Sequence, residues 1–107
     1  MVRLAVPIES LPVGKPVRLE IDGVGIVVVR GSAIHAFEDL CPHANWRLSD
    51  GDVVDGRLEC PGHGMQFELA SGQCVDIDSH CLEPVKVTLR GDSVEFELAR
   101  EPKRGAA

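Results

Sequence analysis

Apolar residues along this chain fall at alternate positions or in short continuous runs, and nowhere form the three-and-four stripe of a substantial helix. "VRLEI" (17–21) and "GIVVVR" (25–30) are rich in β-branched residues and are split by Asp22-Gly23, a hairpin signal. "SAIHAFE" (32–38) follows a second turn at Arg30-Gly31-Ser32. "VKVTLR" (85–90) and "SVEFEL" (93–98) flank Gly91-Asp92 and alternate apolar with polar, which predicts a hairpin with one buried face. "RLEC" (57–60) and "QFELA" (66–70) read as short strands, and Ser71-Gly72 as another turn. Glu9 to Pro16 reads as a loop and residues 101–107 as a frayed tail. The pattern predicts one antiparallel all-β domain over residues 1–107, with a loop-rich insertion at about 39–66.

Composition narrows the classes. The hydrophobic fraction is 44% and the charged fraction 26%, as in ordinary soluble domains. No apolar run approaches the roughly 18–20 residues that cross a bilayer, so no membrane association is expected. The opening "MVRLAVPIES" lacks a continuous apolar core and a cleavage signature, which points to the cytoplasm. The net charge of −6 argues against nucleic acid as a partner. Its distribution is uneven: residues 38–83 carry ten acids against two bases, so −8 lies on that segment and +2 elsewhere. Such a segment is either a solvated surface or a docking face for a basic protein.

The same segment carries the chemistry. It holds Cys41-Pro-His43 and Cys60-Pro-Gly-His63, two mixed cysteine/histidine phrases separated by sixteen residues. Disulfides, zinc and an iron–sulfur cluster are the candidates. A reducing compartment disfavours disulfides. Structural zinc accepts two cysteines and two histidines, but its usual spacing pairs like with like. Zinc tolerates the mixed pairs without explaining them. A two-iron cluster held by two cysteines on one iron and two histidines on the other does explain them, because each loop then contributes one ligand to each iron.

This arrangement, C-x-H-x₁₆-C-x₂-H, resembles the Rieske family. The likeness extends to "NWRLSDGDVVDG" as connector and to "CPGHGMQFELASGQ" as second loop and exit strand. It implies a Rieske-type antiparallel β-sandwich with a small loop-rich cluster-binding subdomain. It also implies a [2Fe–2S] cluster with Cys41 and Cys60 on the inner iron and His43 and His63 on the outer, solvent-facing one. Gly62 and Gly64 would let the backbone turn sharply beside the sulfides, Pro42 and Pro61 would stiffen the loop tips, and Trp46 and Met65 are candidate covers.

Respiratory members of the family carry a cysteine pair, linked as a disulfide, where this chain has Trp46 and Gly62, and a serine where it has Met65. The chain also contains no tyrosine. Without those hydroxyl groups to stabilise the reduced cluster, the expected potential is near the low end of the Rieske range, about −150 mV. The chain is most similar to the small Rieske ferredoxins of multicomponent bacterial oxygenases, including the aromatic-ring-hydroxylating dioxygenases. That implies a monomeric one-electron carrier, not itself an enzyme, between an NAD(P)H-dependent flavoprotein reductase and a terminal oxygenase. The acidic segment then gains its docking role. A small Rieske-like subunit of an NAD(P)H nitrite reductase and a zinc-stabilised structural module are the competing readings, and 107 residues leave no space for a mononuclear iron domain. Cys74 and Cys81 are expected to be buried or half-buried thiols outside the ligand set, and His35 a surface histidine. His80 stands where the family favours proline.

Overall fold

The computed structural model describes residues 2–41, 46–62, 64–75 and 81–98. Its strands are β1 (Val2–Pro7), β2 (Pro16–Ile21), β3 (Val24–Arg30), β4 (Ile34–Glu38), β5 (Asp52–Val54), β6 (Arg57–Glu59), β7 (Gln66–Glu68), β8 (Lys86–Arg90) and β9 (Ser93–Leu98). Single 3₁₀ turns at Ile8–Ser10 and Leu48–Asp50 complete the described elements. All strand pairing within the sheets is antiparallel, and three three-stranded sheets result, ordered β1-β9-β8, β2-β3-β4 and β5-β6-β7.

The first two sheets form a sandwich. Strand β9 alternates as its sequence requires, with Val94, Phe96 and Leu98 buried between half-buried neighbours. These residues join Ile26, Val28, Ala36 and Val85 in the core between the sheets. The continuous apolar run in β3 has a different cause: Val27 and Val29 face the opposite way, into a second core shared with the β5-β6-β7 sheet. A strand covered on both faces has no polar side to present. Strand β3 therefore belongs to both cores, and everything above it is anchored through it.

Hairpin chemistry places the turns. At Asp22-Gly23 both residues adopt left-handed backbone, with φ of 52° and 82°, and Asp55-Gly56 repeats this with 49° and 77°. Two successive positive φ values define the tight turn whose twist matches the flanking strands.

Several boundaries differ from expectation. Strand β1 was not evident in "MVRLAVPIES"; it forms because β9 offers it an edge, pairing Leu4 with Phe96 and Val6 with Val94. Within the insertion at 39–66 the strand expected at 57–60 is β6, and the unexpected strand β5 pairs with it across the Asp55-Gly56 hairpin. The hairpin of β8 and β9 buries one face as its alternation predicts, with Val85 in the core and Val87 packed against it; β8 lies at the edge of its sheet and Leu89 is the exception, 63% exposed. Residues 101–107 lie outside the described residues.

Candidate metal centre

Two loops, one following β4 and one following β6, each begin at a buried cysteine. Cys41 is 2% exposed and Cys60 1%. The loops close in the same way: the Cys41 N–H donates to the Trp46 carbonyl at 3.0 Å, and the Cys60 N–H donates to the Met65 carbonyl at 2.8 Å. In both, the donor's partner stands five residues on. In the second loop the Gly64 N–H also donates to the Cys60 carbonyl at 3.0 Å, and Gly64 has φ 71°, a conformation that suits glycine. Each cysteine thus sits at the neck of a short loop closed by backbone hydrogen bonds. Cys41 and Cys60 share one apolar cluster with Leu48, Leu58, Met65 and Phe67.

His43 and His63, with Pro42, lie outside the described residues. Among the described residues no group of three His, Cys, Asp or Glu side chains converges. The structure brings together the two cysteines in one buried cluster, and it gives their loops a common construction. Two soft thiols at matched loop necks, with a histidine two or three residues further along each loop, fit the donor set of a mixed two-iron cluster.

The connector explains itself through a residue that sequence reasoning passed over. Asp39, two positions before Cys41, has a side chain with no solvent exposure. Its carboxylate accepts from Arg18 Nη1 at 2.7 Å, from the Ser49 N–H at 2.8 Å and from Ser49 Oγ at 2.6 Å. The Asp39 N–H donates to the Gly25 carbonyl at 3.0 Å. Asp39 therefore ties the start of the first loop to β2 and the following 3₁₀ turn through its carboxylate, and to β3 through its N–H. Asp39 raises the Arg18 pKa above its ordinary value, chiefly through the hydrogen bond, so the cation is permanent. Leu48, fully buried beside Ser49, packs against the cysteines. The signal for this network is the Leu48-Ser49-Asp50-Gly51 phrase, whose serine has a structural partner.

Other candidates divide. Trp46 is half-exposed and its indole lies against Gly62 of the second loop. Met65 is buried, as a cover would be. Cys74 is buried and pairs with Phe67 in an isolated bridge, whereas Cys81 is exposed, contrary to expectation, opposite Gln73. None of the four cysteines is in a disulfide. His35 is half-buried on β4 and His80 lies outside the described residues. Asp50, Asp52 and Asp55 are all exposed around the β5 hairpin, while the Arg57–Glu68 pair (3.2 Å) leaves that basic residue already engaged.

With this geometry in hand the comparisons are decisive for the class. The model of the Rieske [2Fe-2S] domain matches residues 2–88, and the chain belongs to that family. Its resident cofactor is a Rieske-type [2Fe–2S] cluster. Among relatives, the chain is 41% identical over 71 residues to protein TIC 55 of Pisum sativum chloroplasts, covering 64% of this chain but 13% of that protein. It is 30% identical over 83 residues to the ferredoxin component of the alkene monooxygenase system of Xanthobacter autotrophicus, covering 77% of this chain and 68% of the other. The ferredoxin of carbazole 1,9a-dioxygenase from Nocardioides aromaticivorans superposes with a TM-score of 0.82 at 22% identity, covering 91% of this chain and 98% of that one. A Mycobacterium tuberculosis chain described as an NADH-dependent nitrite reductase small subunit superposes with 0.81 at 17%, covering 94% and 100%. At such identities the last two likenesses show the fold alone. Among the described residues no helix is long and apolar enough to cross a membrane.

Proposed function

We propose that this chain is a one-electron carrier of a multicomponent oxygenase system, receiving electrons from a flavoprotein reductase and delivering them to a terminal oxygenase. The observation that carries the reading is the pair of matched loops, each with a buried thiol at its neck and, in sequence, a histidine two or three residues on. Cys41 and Cys60 hold the inner iron, and His43 and His63 the outer one. The cluster supplies reversible one-electron redox chemistry when bound. The chain's own part is to keep the two thiols dry, to hold the first loop against β2 and β3 through Asp39, and to present His43 and His63 to partners. The exposed Asp50, Asp52 and Asp55 beside the loops give the partner's basic surface something to find. Met65 offers no hydroxyl to a sulfide, which supports a potential near the low end of the family's range, about −150 mV.

The carrier reading is favoured over the nitrite-reductase subunit because the ferredoxin component of an alkene monooxygenase matches at 30% identity over most of both chains. Two nitrite reductase small subunits superpose at 22% and 17% identity, a likeness of fold alone. Reconstitution tests the proposal: the holoprotein is combined with NADH, flavoprotein reductases and candidate oxygenases, and coupled product is measured. Product formed only when this chain is present supports a carrier. Stable co-purification with a large nitrite reductase, with no turnover in any oxygenase mixture, overturns it.

A further inference from the structure

We propose that Trp46 is a clasp between the two cysteine loops: a positioning residue that holds them together and keeps water out of the gap. The functional consequence rests on the carrier reading; the clasp itself rests on geometry. The backbone bonds at Cys41, Cys60 and Gly64 each stay within one loop. The Trp46 side chain instead runs between loops. Its carbonyl closes the first loop at Cys41, and its indole reaches Gly62 in the second, where an added Cβ would strike Nε1, Cδ1 and Cε2.

Gly62 sharpens the inference. It is not among the glycines with left-handed backbone, so its conformation would accept any L-residue. The three nearest atoms an added Cβ would meet all belong to the indole, so Trp46 demands that no side chain be there. Trp46 is 48% exposed, which is more than a core tryptophan shows and less than a free loop residue would. The buried half meets the second loop and the other half faces solvent. An aromatic ring wedged this way stiffens a loop pair without covalent linkage. A carrier that gains and loses charge works best when its ligand loops keep their spacing in both states, and when water cannot enter between them as charge is added.

Trp46 is the chain's only tryptophan and there is no tyrosine, so intrinsic fluorescence reports the clasp directly. Wild-type holoprotein is compared with Gly62→Ala, Trp46→Phe and Trp46→Ala, with Leu89→Ala as a remote exposed control. Gly62→Ala should displace the indole and raise acrylamide quenching roughly twofold or more. Under argon with a chelator, Gly62→Ala and Trp46→Ala should lose cluster absorbance roughly two- to tenfold faster, with Trp46→Phe between them and wild type. The midpoint potential of Trp46→Ala should move positive, because water admitted beside the loops stabilises the more negative reduced state. Wild-type quenching and bleaching in Gly62→Ala overturn the clasp, as does faster bleaching confined to Trp46→Ala. A folded preparation that takes up no cluster refutes the carrier reading instead, and the quenching comparison still decides the clasp.

Discussion

Arg18→Met should be the most damaging single change outside the ligands and the apolar cores. Among the described residues the guanidinium supplies the charge compensation for Asp39, whose side chain is fully buried. In Arg18→Met the carboxylate keeps its two bonds from Ser49 but loses its cation. Breaking a buried pair from one side costs about 3–5 kcal/mol. Arg18 is itself 26% exposed, so water can take part of its place, and the lower end, about 3 kcal/mol, is expected. With a urea dependence of about 1.5 kcal/mol per molar for a domain of this size, the midpoint should fall by about 2 M. Anaerobic urea titration of the holoprotein by far-ultraviolet circular dichroism measures it. The double variant Arg18→Met/Asp39→Leu removes both charges and should be more stable than Arg18→Met alone. Arg18's folded pKa is raised, so its contribution is complete at every pH below the unfolded value and fades only as pH climbs through the raised one. The Arg18→Met deficit should therefore be flat from neutral to moderately alkaline pH. A loss under about 1 kcal/mol, or a double variant weaker than the single, would refute the view of Asp39 as an anchored, cation-dependent hub.

Met65→Ser should raise the midpoint potential, by offering an O–H to a sulfide, while lowering stability by about 2 kcal/mol because Met65 is packed in the core beside the cysteines; a lowered midpoint contradicts the hydrogen-bond argument. Electron transfer to a basic partner should slow as salt rises, since exposed charges are screened beyond about 8 Å at physiological ionic strength. Asp50→Lys and Asp52→Lys should slow association without moving the potential; rates flat in salt and silent reversals would reduce the acidic face to a solubility feature. Cys74→Ser and Cys81→Ser should both keep the visible spectrum. Cys74→Ser should alone lose stability, by about 1–2 kcal/mol, because Cys74 is buried and Cys81 exposed. Loss of the cluster in a folded Cys74→Ser protein would mean the ligand set is wrong.

Much of this was legible in the chain, and the reasons are local. Asp22-Gly23 and the β-branched runs around it give β2 and β3 to within one residue, because two-residue turns leave strands little freedom in register. The paired Cys/His phrases carry the resemblance to the Rieske family, which the family match over residues 2–88 bears out. What stayed hidden depends on distant partners. Strand β1 exists only because β9 pairs with it. Leu89 is exposed only because β8 ends its sheet. The burial of Asp39 is invisible until Arg18, 21 residues earlier, and Ser49, 10 residues later, are seen to converge on it. Likewise Gly62 reads as a turn residue in sequence, and its occupant, the Trp46 indole, is a contact between loops.

The central claim is that Cys41, His43, Cys60 and His63 hold one Rieske cluster that carries single electrons. Electron paramagnetic resonance of the dithionite-reduced holoprotein tests it most directly, with His43→Cys and His63→Cys measured beside it. The account expects a brown-red protein and a rhombic signal whose average g lies below the free-electron value, accounting for one spin per two irons, and lost or converted in both histidine variants. A colourless, signal-free protein containing zinc, or an unchanged Rieske spectrum in either histidine variant, would contradict it.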